Sequence, residues 1–144
     1  MDTQYTRLEL LIGEEGLSKI KNKKVLIFGL GGVGGHLTDA LARSGVMNFT
    51  IVDNDVVNIT NLNRQLIANL DTVGLKKVDV MEKHLLSINK DIKVTKVCEF
   101  ITKDSNLFNY TDYDYVIDCI DTVSAKISII ENCIKNNVKV ISAL

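Results

Sequence analysis

Short uninterrupted apolar runs recur along this chain, separated by stretches in which apolar residues return every three or four positions. Val25-Leu26-Ile27-Phe28 is the first such run, β-branched and aromatic and closed by Gly29. A run of that length without polar alternation predicts a strand buried on both faces. Phe49-Thr50-Ile51-Val52-Asp53 predicts a second strand, ending in an acid, and Val94 to Phe100 a third. Tyr115-Val116-Ile117-Asp118 predicts a fourth, and Val138 to Ser142 a fifth. Between them the period turns helical over Val33 to Ser44, stopped by Gly45, over Lys76 to Asn89, and over Ser124 to Lys135. Val80, Leu85 and Ile88 mark the apolar side of the second of these. The Asn-rich stretch from Asn54 to Asn63 predicts a loop. Ahead of the first strand, helical spacing from Tyr5 to Leu17 is broken by Gly13 and Gly16, which predicts two short helices with Lys19 to Lys24 as a basic exit.

Strands alternating with helices over nearly the whole length predict an α/β fold, a doubly wound, mainly parallel, Rossmann-like sheet with short N-terminal helices. The expected division is a helical arm over residues 1–23 and the sheet domain over 24–144. There is no proline, so breaks rest on glycine, asparagine and aspartate. The fifth strand is apolar enough to be central, yet the sequence stops at Leu144 directly after it. The expectation is a truncated chain whose second half is missing.

Composition narrows the class. At 144 residues, 46% hydrophobic and 24% charged, the chain suits one domain with a real core. Seventeen basic against eighteen acidic side chains leave a formal charge of −1, so a polyanion would have to be gripped by a local basic cluster. Cys98, Cys119 and Cys133 are unevenly spaced and form no C-x-x-C pair, which argues against a disulfide framework or zinc site and for reduced thiols. The N-terminus carries no signal-peptide pattern, and no run nears the ~20 apolar residues of a membrane span. A cytoplasmic protein without membrane contact is expected.

Candidate chemistry begins at Gly29-Leu30-Gly31-Gly32-Val33-Gly34, a G-x-G-x-x-G turn after a strand and before a helix. Its glycines permit a tight turn and let backbone N–H groups approach phosphate, with the helix N-terminus adding about +0.5 charge. The bland alternative is a turn that serves strand–helix packing alone. Asp53, at the end of the second strand, stands where an acid accepts hydrogen bonds from a ribose hydroxyl pair. An NAD enzyme would share these features. Arg64, Lys77 and Asp121 separate the readings, because a triphosphate carries more charge than the glycine turn satisfies, and transfer of AMP calls for fixed cations and a metal. Arg64 offers a planar fork to two phosphate oxygens and Lys77 a compact point charge. Asp121, just past the fourth strand, falls at the carboxyl edge of the sheet, where it could hold Mg²⁺. Taken singly, each reads as a solvated surface charge; their common position around one crevice carries the inference.

These residues together resemble the MoeB/ThiF/HesA superfamily, the bacterial relatives of ubiquitin-activating enzymes. The matching pattern is Gly29/Gly31/Gly34, Asp53-Asn54-Asp55, Asn61-Leu62-Asn63-Arg64-Gln65, Lys77 and Asp121, from about Tyr5 to the end. Within it the chain is similar to the tRNA threonylcarbamoyladenosine dehydratase group, through Arg7-Leu8-Glu9-Leu10-Leu11-Ile12-Gly13, Ala40-Leu41-Ala42-Arg43-Ser44-Gly45-Val46 and Tyr113-Asp114-Tyr115-Val116-Ile117-Asp118. The resemblance implies an ATP-binding domain with Asp53 on the ribose, Asp55 beside the nucleotide, Asn61, Arg64 and Lys77 on the phosphates, and Asp121 near Mg²⁺. It also implies a homodimer in which Arg7 reaches the partner's ATP, although a solvated helix arginine reads nearly as well. Asp121-Thr122 departs from the Asp-Asn of many members, and the acceptor-binding half is expected beyond this chain.

The activity so implied is adenylation of a carboxylate, that of threonylcarbamoyladenosine in tRNA, followed by cyclising dehydration. The alternatives are adenylation of the C-terminus of a ubiquitin-like sulfur carrier, with a cysteine-desulfurase system as partner, and a non-catalytic nucleotide-binding module. Cys119 reads as a small residue beside a strand end rather than a nucleophile, Cys98 and Cys133 as packing, and His36 and His84 as helix residues without metal spacing. Lys19, Lys21, Lys23 and Lys24 read as a solvated basic turn before a tRNA contact.

Overall fold

The computed structural model describes residues 1–143; Leu144, the last residue of the expected sheet domain, lies outside the described residues. Five strands, β1 Lys24–Phe28, β2 Asn48–Val52, β3 Lys93–Val97, β4 Tyr115–Asp118 and β5 Lys139–Ser142, form one sheet in the order β3-β2-β1-β4-β5. Every pairing is parallel, with Ile27 opposite both Ile51 and Ile117. Four α-helices among the described residues pack on it: α1 Thr6–Lys21, α2 Gly34–Arg43, α3 Lys77–Ile88 and α4 Val123–Lys135. The predicted α/β architecture stands.

Why β1 is apolar at every position is visible in its packing. Val25 and Ile27 point to one face, among Leu30, Ala42, Phe49, Ile51, Met81 and Leu85 under α2 and α3. Leu26 and Phe28 point to the other, among Val52, Val116, Ala125, Ile129 and Cys133 under α4. Leu26, Ile27 and Phe28 are fully buried, so each contributes roughly 1.5–3 kcal/mol of transfer free energy.

Three features differ from expectation. The two N-terminal helices are joined end to end as α1, with the break at Gly13 (φ 77°, ψ 165°), and the second runs on to Lys21. β3 stops at Val97, three residues short of the predicted end, because Cys98 to Phe100 leave the ladder. The Asn-rich loop contains a single-turn helix, Ile59–Asn61, in which the Asn58 and Asn61 side chains cap each other's backbone. β5 lies beside β4 at the end of the strand order among the described residues, with Ile141 half exposed.

Polar side chains tie the helices together. The Asp39 carboxylate of α2 receives His84 Nε2 from α3 at 2.7 Å and Arg43 Nε at 2.9 Å. Burial opposes ionisation of Asp39, but these two hydrogen bonds outweigh it and hold its pKa below the usual 3.8. A depressed carboxylate stabilises the fold above its unfolded pKa, and that contribution is lost as pH falls through the folded value. Asp39→Asn should therefore lower stability by about 1 kcal/mol at neutral pH. In urea titrations, the difference from the parent should close only below pH 4 or so, with a constant gap meaning that the charge is irrelevant.

Candidate functional site

The strand order reverses between β1 and β4: β2 and β3 lie to one side of β1, β4 and β5 to the other. Crevices at such reversals, outside the carboxyl ends of the strands, are where open α/β sheets bind ligands. A cavity of about 660 Å³ opens at that point. Gly29, Gly31, Asp53, Asp55, Asn61, Arg64, Lys77 and Asp121 all line it. Three charged groups far apart in sequence, Arg64, Lys77 and Asp121, thus share one crevice with the glycine turn.

The turn owes its shape to two close approaches. Gly29 has φ 93°, and a Cβ there would lie 2.7 Å from the Cys119 carbonyl oxygen. Gly34, the first residue of α2, would bring a Cβ within 1.8 Å of the Gly29 carbonyl oxygen. It is buried and does not line the cavity, so its part is to close the turn rather than to touch a ligand. Arg64 packs across the turn's outer side, its Cγ 3.4 Å from where a Gly32 Cβ would stand.

Asp53 braces the turn. One carboxylate oxygen accepts the Leu30 N–H at 2.8 Å, the other the Asp55 N–H at 2.8 Å. Spare lone pairs remain for a hydroxyl, since an ionised carboxylate accepts about four hydrogen bonds. Asn61 is buried; its side-chain oxygen accepts the Asn58 N–H, which turns its NH₂ into the end that can donate to a ligand. Arg64 is exposed and holds the Thr60 carbonyl at 3.3 Å and Asn63 Oδ1 at 3.0 Å, contacts weak enough to exchange for an anion.

Lys77 is the unusual member. It opens α3 and is only 5% exposed, and its ion-pair partner among the described residues, Asp55, is 3.8 Å away and itself 64% exposed. That distance is too long for a hydrogen bond. A buried ammonium held so loosely, at the positive end of a helix, gains much from an incoming anion. Its backbone N–H bonds the Asp55 carbonyl at 3.0 Å, which fixes where α3 begins.

Arg7 takes no part in this cavity; it lies exposed on α1. Glu99, Phe100 and Ile101, beyond β3, line the cavity unforeseen. In the sequence, Gln65 is only the last residue of the Asn61-Leu62-Asn63-Arg64-Gln65 block. It is 7% exposed, lines the cavity, and its Oε1 is a buried atom with no hydrogen-bond partner among the described residues. Asp118, fully buried beneath the site, pairs with buried Lys126, a partnership no local pattern announces.

Cys119 lines the cavity, but burial, with help from Asp118, pushes its thiol pKa up, so it is a poor nucleophile as expected. Cys133 is buried and pushed up by that burial to about 11. Among the described residues no group of three or more His, Cys, Asp or Glu could hold a metal by itself, and no helix is long and apolar enough to cross a membrane.

Comparison with known proteins agrees with this fold. The model of the ThiF family matches residues 3–144. The tRNA threonylcarbamoyladenosine dehydratase of Bacillus subtilis is 45% identical over 143 residues, which are 98% of this chain and 56% of that protein. The molybdopterin-synthase adenylyltransferase of Escherichia coli is 33% identical over 96% of this chain and 57% of its own length. Among solved structures, the E. coli tRNA N6-threonylcarbamoyladenosine dehydratase in complex with ATP superposes with a TM-score of 0.91 at 38% identity, covering 96% of this chain and 58% of that one. E. coli MccB with ATP follows at 0.83 and 30% identity, over 99% of this chain and 44% of that one. The chain spans a little over half the length of the curated relatives named here, and it is a member of the ThiF family.

Proposed function

We propose that this chain is the ATP-binding domain of an adenylating enzyme that activates the carboxylate of threonylcarbamoyladenosine in tRNA for cyclising dehydration. The observation that carries the reading is the buried, loosely paired Lys77 ammonium in the same cavity as Arg64, Asp121 and the glycine turn. A pyrophosphate alone would leave these cations unmatched, whereas a triphosphate uses them. The 45% identical dehydratase from Bacillus subtilis and the ATP complex of the E. coli dehydratase support both the nucleotide and the substrate class.

In this reading the turn's N–H groups and the α2 N-terminus receive the phosphates, while Asp53 accepts from the ribose. Asp55 stands beside the nucleotide and holds Lys77 until it arrives. Asn61 and Arg64 donate to phosphate oxygens, and with Lys77 they stabilise charge as the substrate carboxylate attacks the α-phosphorus and pyrophosphate departs. Cyclisation then expels AMP, carrying away the oxygen lost as water. Mg²⁺ suits the site, because it is commonly held by one or two carboxylates together with substrate phosphates rather than by a full protein cage. Asp121 would be its protein ligand, and the ion would offset phosphate charge. The orphaned Gln65 Oε1 fits the same picture, since a metal-bound water or a ribose hydroxyl could donate to it. Residues 1–23 act as an arm, and in a homodimer Arg7 would reach the partner's ATP. A cytoplasmic setting follows from the tRNA substrate.

Adenylation of a sulfur-carrier C-terminus is the second reading, favoured by the 33% identity to the molybdopterin-synthase adenylyltransferase. Pyrophosphate exchange into ATP decides, using this chain fused to the C-terminal half of the Bacillus subtilis relative. Exchange stimulated by threonylcarbamoylated tRNA supports the dehydratase; stimulation by a carrier protein replaces it. In the same fusion Arg64→Ala should lower kcat by about 10²-fold or more, and an unchanged kcat would remove Arg64 from the transition state.

A further inference from the structure

Beneath the cavity floor lies a buried ion pair that the steps above leave unused. Asp118 ends β4 and is fully buried; Lys126 sits in the first turn of α4 and is 7% exposed. A cation in a first turn opposes the helix dipole, so something other than helix stability places it there. All three Lys126 donors are occupied: by Asp118 Oδ2 at 2.5 Å, by Ser142 Oγ at 3.3 Å and by the Ala143 carbonyl at 2.8 Å. Ser142 in turn donates to Asp118 Oδ2 at 2.8 Å.

The other carboxylate oxygen reaches the site. Asp118 Oδ1 accepts the Ile120 N–H at 3.1 Å, one residue before Asp121. The Cys119 N–H bonds the Phe28 carbonyl at 2.8 Å, and the Cys119 carbonyl is the atom against which Gly29 must lack a side chain. The loop carrying Asp121 is therefore held at its root by Asp118 and from above by the glycine turn. Asp118 is oriented by the Lys126 ammonium and the Ser142 hydroxyl, both of which donate to its Oδ2.

We infer that Lys126 is a positioning residue: through Asp118 it fixes the loop that presents the Asp121 carboxylate to the metal-bound phosphates. It also grips Ser142 and Ala143, so the exit of the chain from β5 is tied to the same loop. The inference rests on the proposed role of Asp121. It differs from a packing role in its consequence. A packing role sets stability alone, whereas positioning sets how much Mg²⁺ tightens nucleotide binding. Outer groups that orient a metal ligand typically account for about 10–100-fold in metal affinity.

The test uses the 144-residue chain. Lys126→Met alone would strand a buried carboxylate and could unfold the protein, so the paired exchange Asp118→Asn with Lys126→Met is the working variant. Thermal unfolding establishes its fold. Calorimetry then measures the affinity for ATP with and without Mg²⁺ in the parent, in the paired variant and in Asp121→Ala. The expected result is Mg²⁺-free affinity within about twofold of the parent in the paired variant, and a gain from Mg²⁺ reduced about tenfold or more in both variants. Lys126→Arg, which keeps the charge, should retain most of the gain. If Asp121→Ala loses the gain but the folded pair variant keeps it, positioning by Lys126 is overturned while the metal role of Asp121 stands. If Asp121→Ala itself keeps the gain, the metal role falls, and the inference with it.

Discussion

Lys77→Met should leave the fold intact or raise its thermal midpoint while ATP affinity falls by about a hundredfold. Both halves follow from the same placement. The ammonium is 5% exposed, has a carboxylate partner only at 3.8 Å, and begins α3 at the end of the helix where positive charge is disfavoured. Burying a charge so poorly paired costs several kcal/mol, and methionine fills nearly the same volume without that cost. A relief of 1 kcal/mol would raise the midpoint by roughly 2–4 °C in a chain of this size. Losing a charge-assisted contact to phosphate costs about 1.5–3 kcal/mol, which at 1.4 kcal/mol per decade is ten- to a hundredfold, and more if Asp55 is then left facing the phosphates. Thermal scans and calorimetry on one preparation read both quantities. A lowered midpoint with unchanged affinity would make Lys77 a structural residue.

Gly34→Ala has the second large effect, and its neighbour supplies the control. A Cβ at Gly34 would stand 1.8 Å from the Gly29 oxygen and 2.7 Å from its carbon, both backbone atoms that cannot rotate aside. The turn must open, which should destabilise the fold by about 3 kcal/mol and abolish measurable ATP binding. At Gly35 the nearest atoms to a Cβ are the Leu30 oxygen at 3.4 Å and Leu66 Cβ at 3.9 Å, ordinary contacts. Gly35→Ala, inside α2, should be neutral or gain up to about 1 kcal/mol from reduced chain entropy. Two alanines one residue apart would thus differ by about 3 kcal/mol or more. Equal effects in urea titrations would show that the turn tolerates relaxation.

Much of this was written in the order of apolar residues. β1 and β4 are buried on both faces, so their unbroken runs mark their places near the middle of the sheet, and the glycine turn follows β1 with its spacing visible. What stayed hidden depends on pairing at a distance. β3 has an exposed pattern and ends early, since Glu99 and Phe100 turn to the cavity instead of continuing the ladder.

The site was legible in residue type and obscure in mechanics. Asp53 was foreseen as an acid for a sugar, but its grip on the Leu30 and Asp55 amides emerges only when β1 and β2 lie side by side. Arg64 and Lys77 are both cations in sequence; folding exposes one and buries the other. Asp118 and Lys126 are separated by a strand end and a helix start, where periodicity changes and no pattern relates them. Gln65 carried no charge to draw notice, and only its buried, unpartnered oxygen distinguishes it.

The central claim is that guanidinium, ammonium and carboxylate serve a triphosphate beside the glycine turn. Parallel calorimetric titration of this chain with ATP and with NAD, both in Mg²⁺, tests it most directly. The geometry predicts at least a hundredfold preference for ATP, about 2.7 kcal/mol, since a dinucleotide leaves Lys77 and Asp121 without partners. NAD bound as tightly as ATP would contradict it and return the chain to an unspecialised dinucleotide fold.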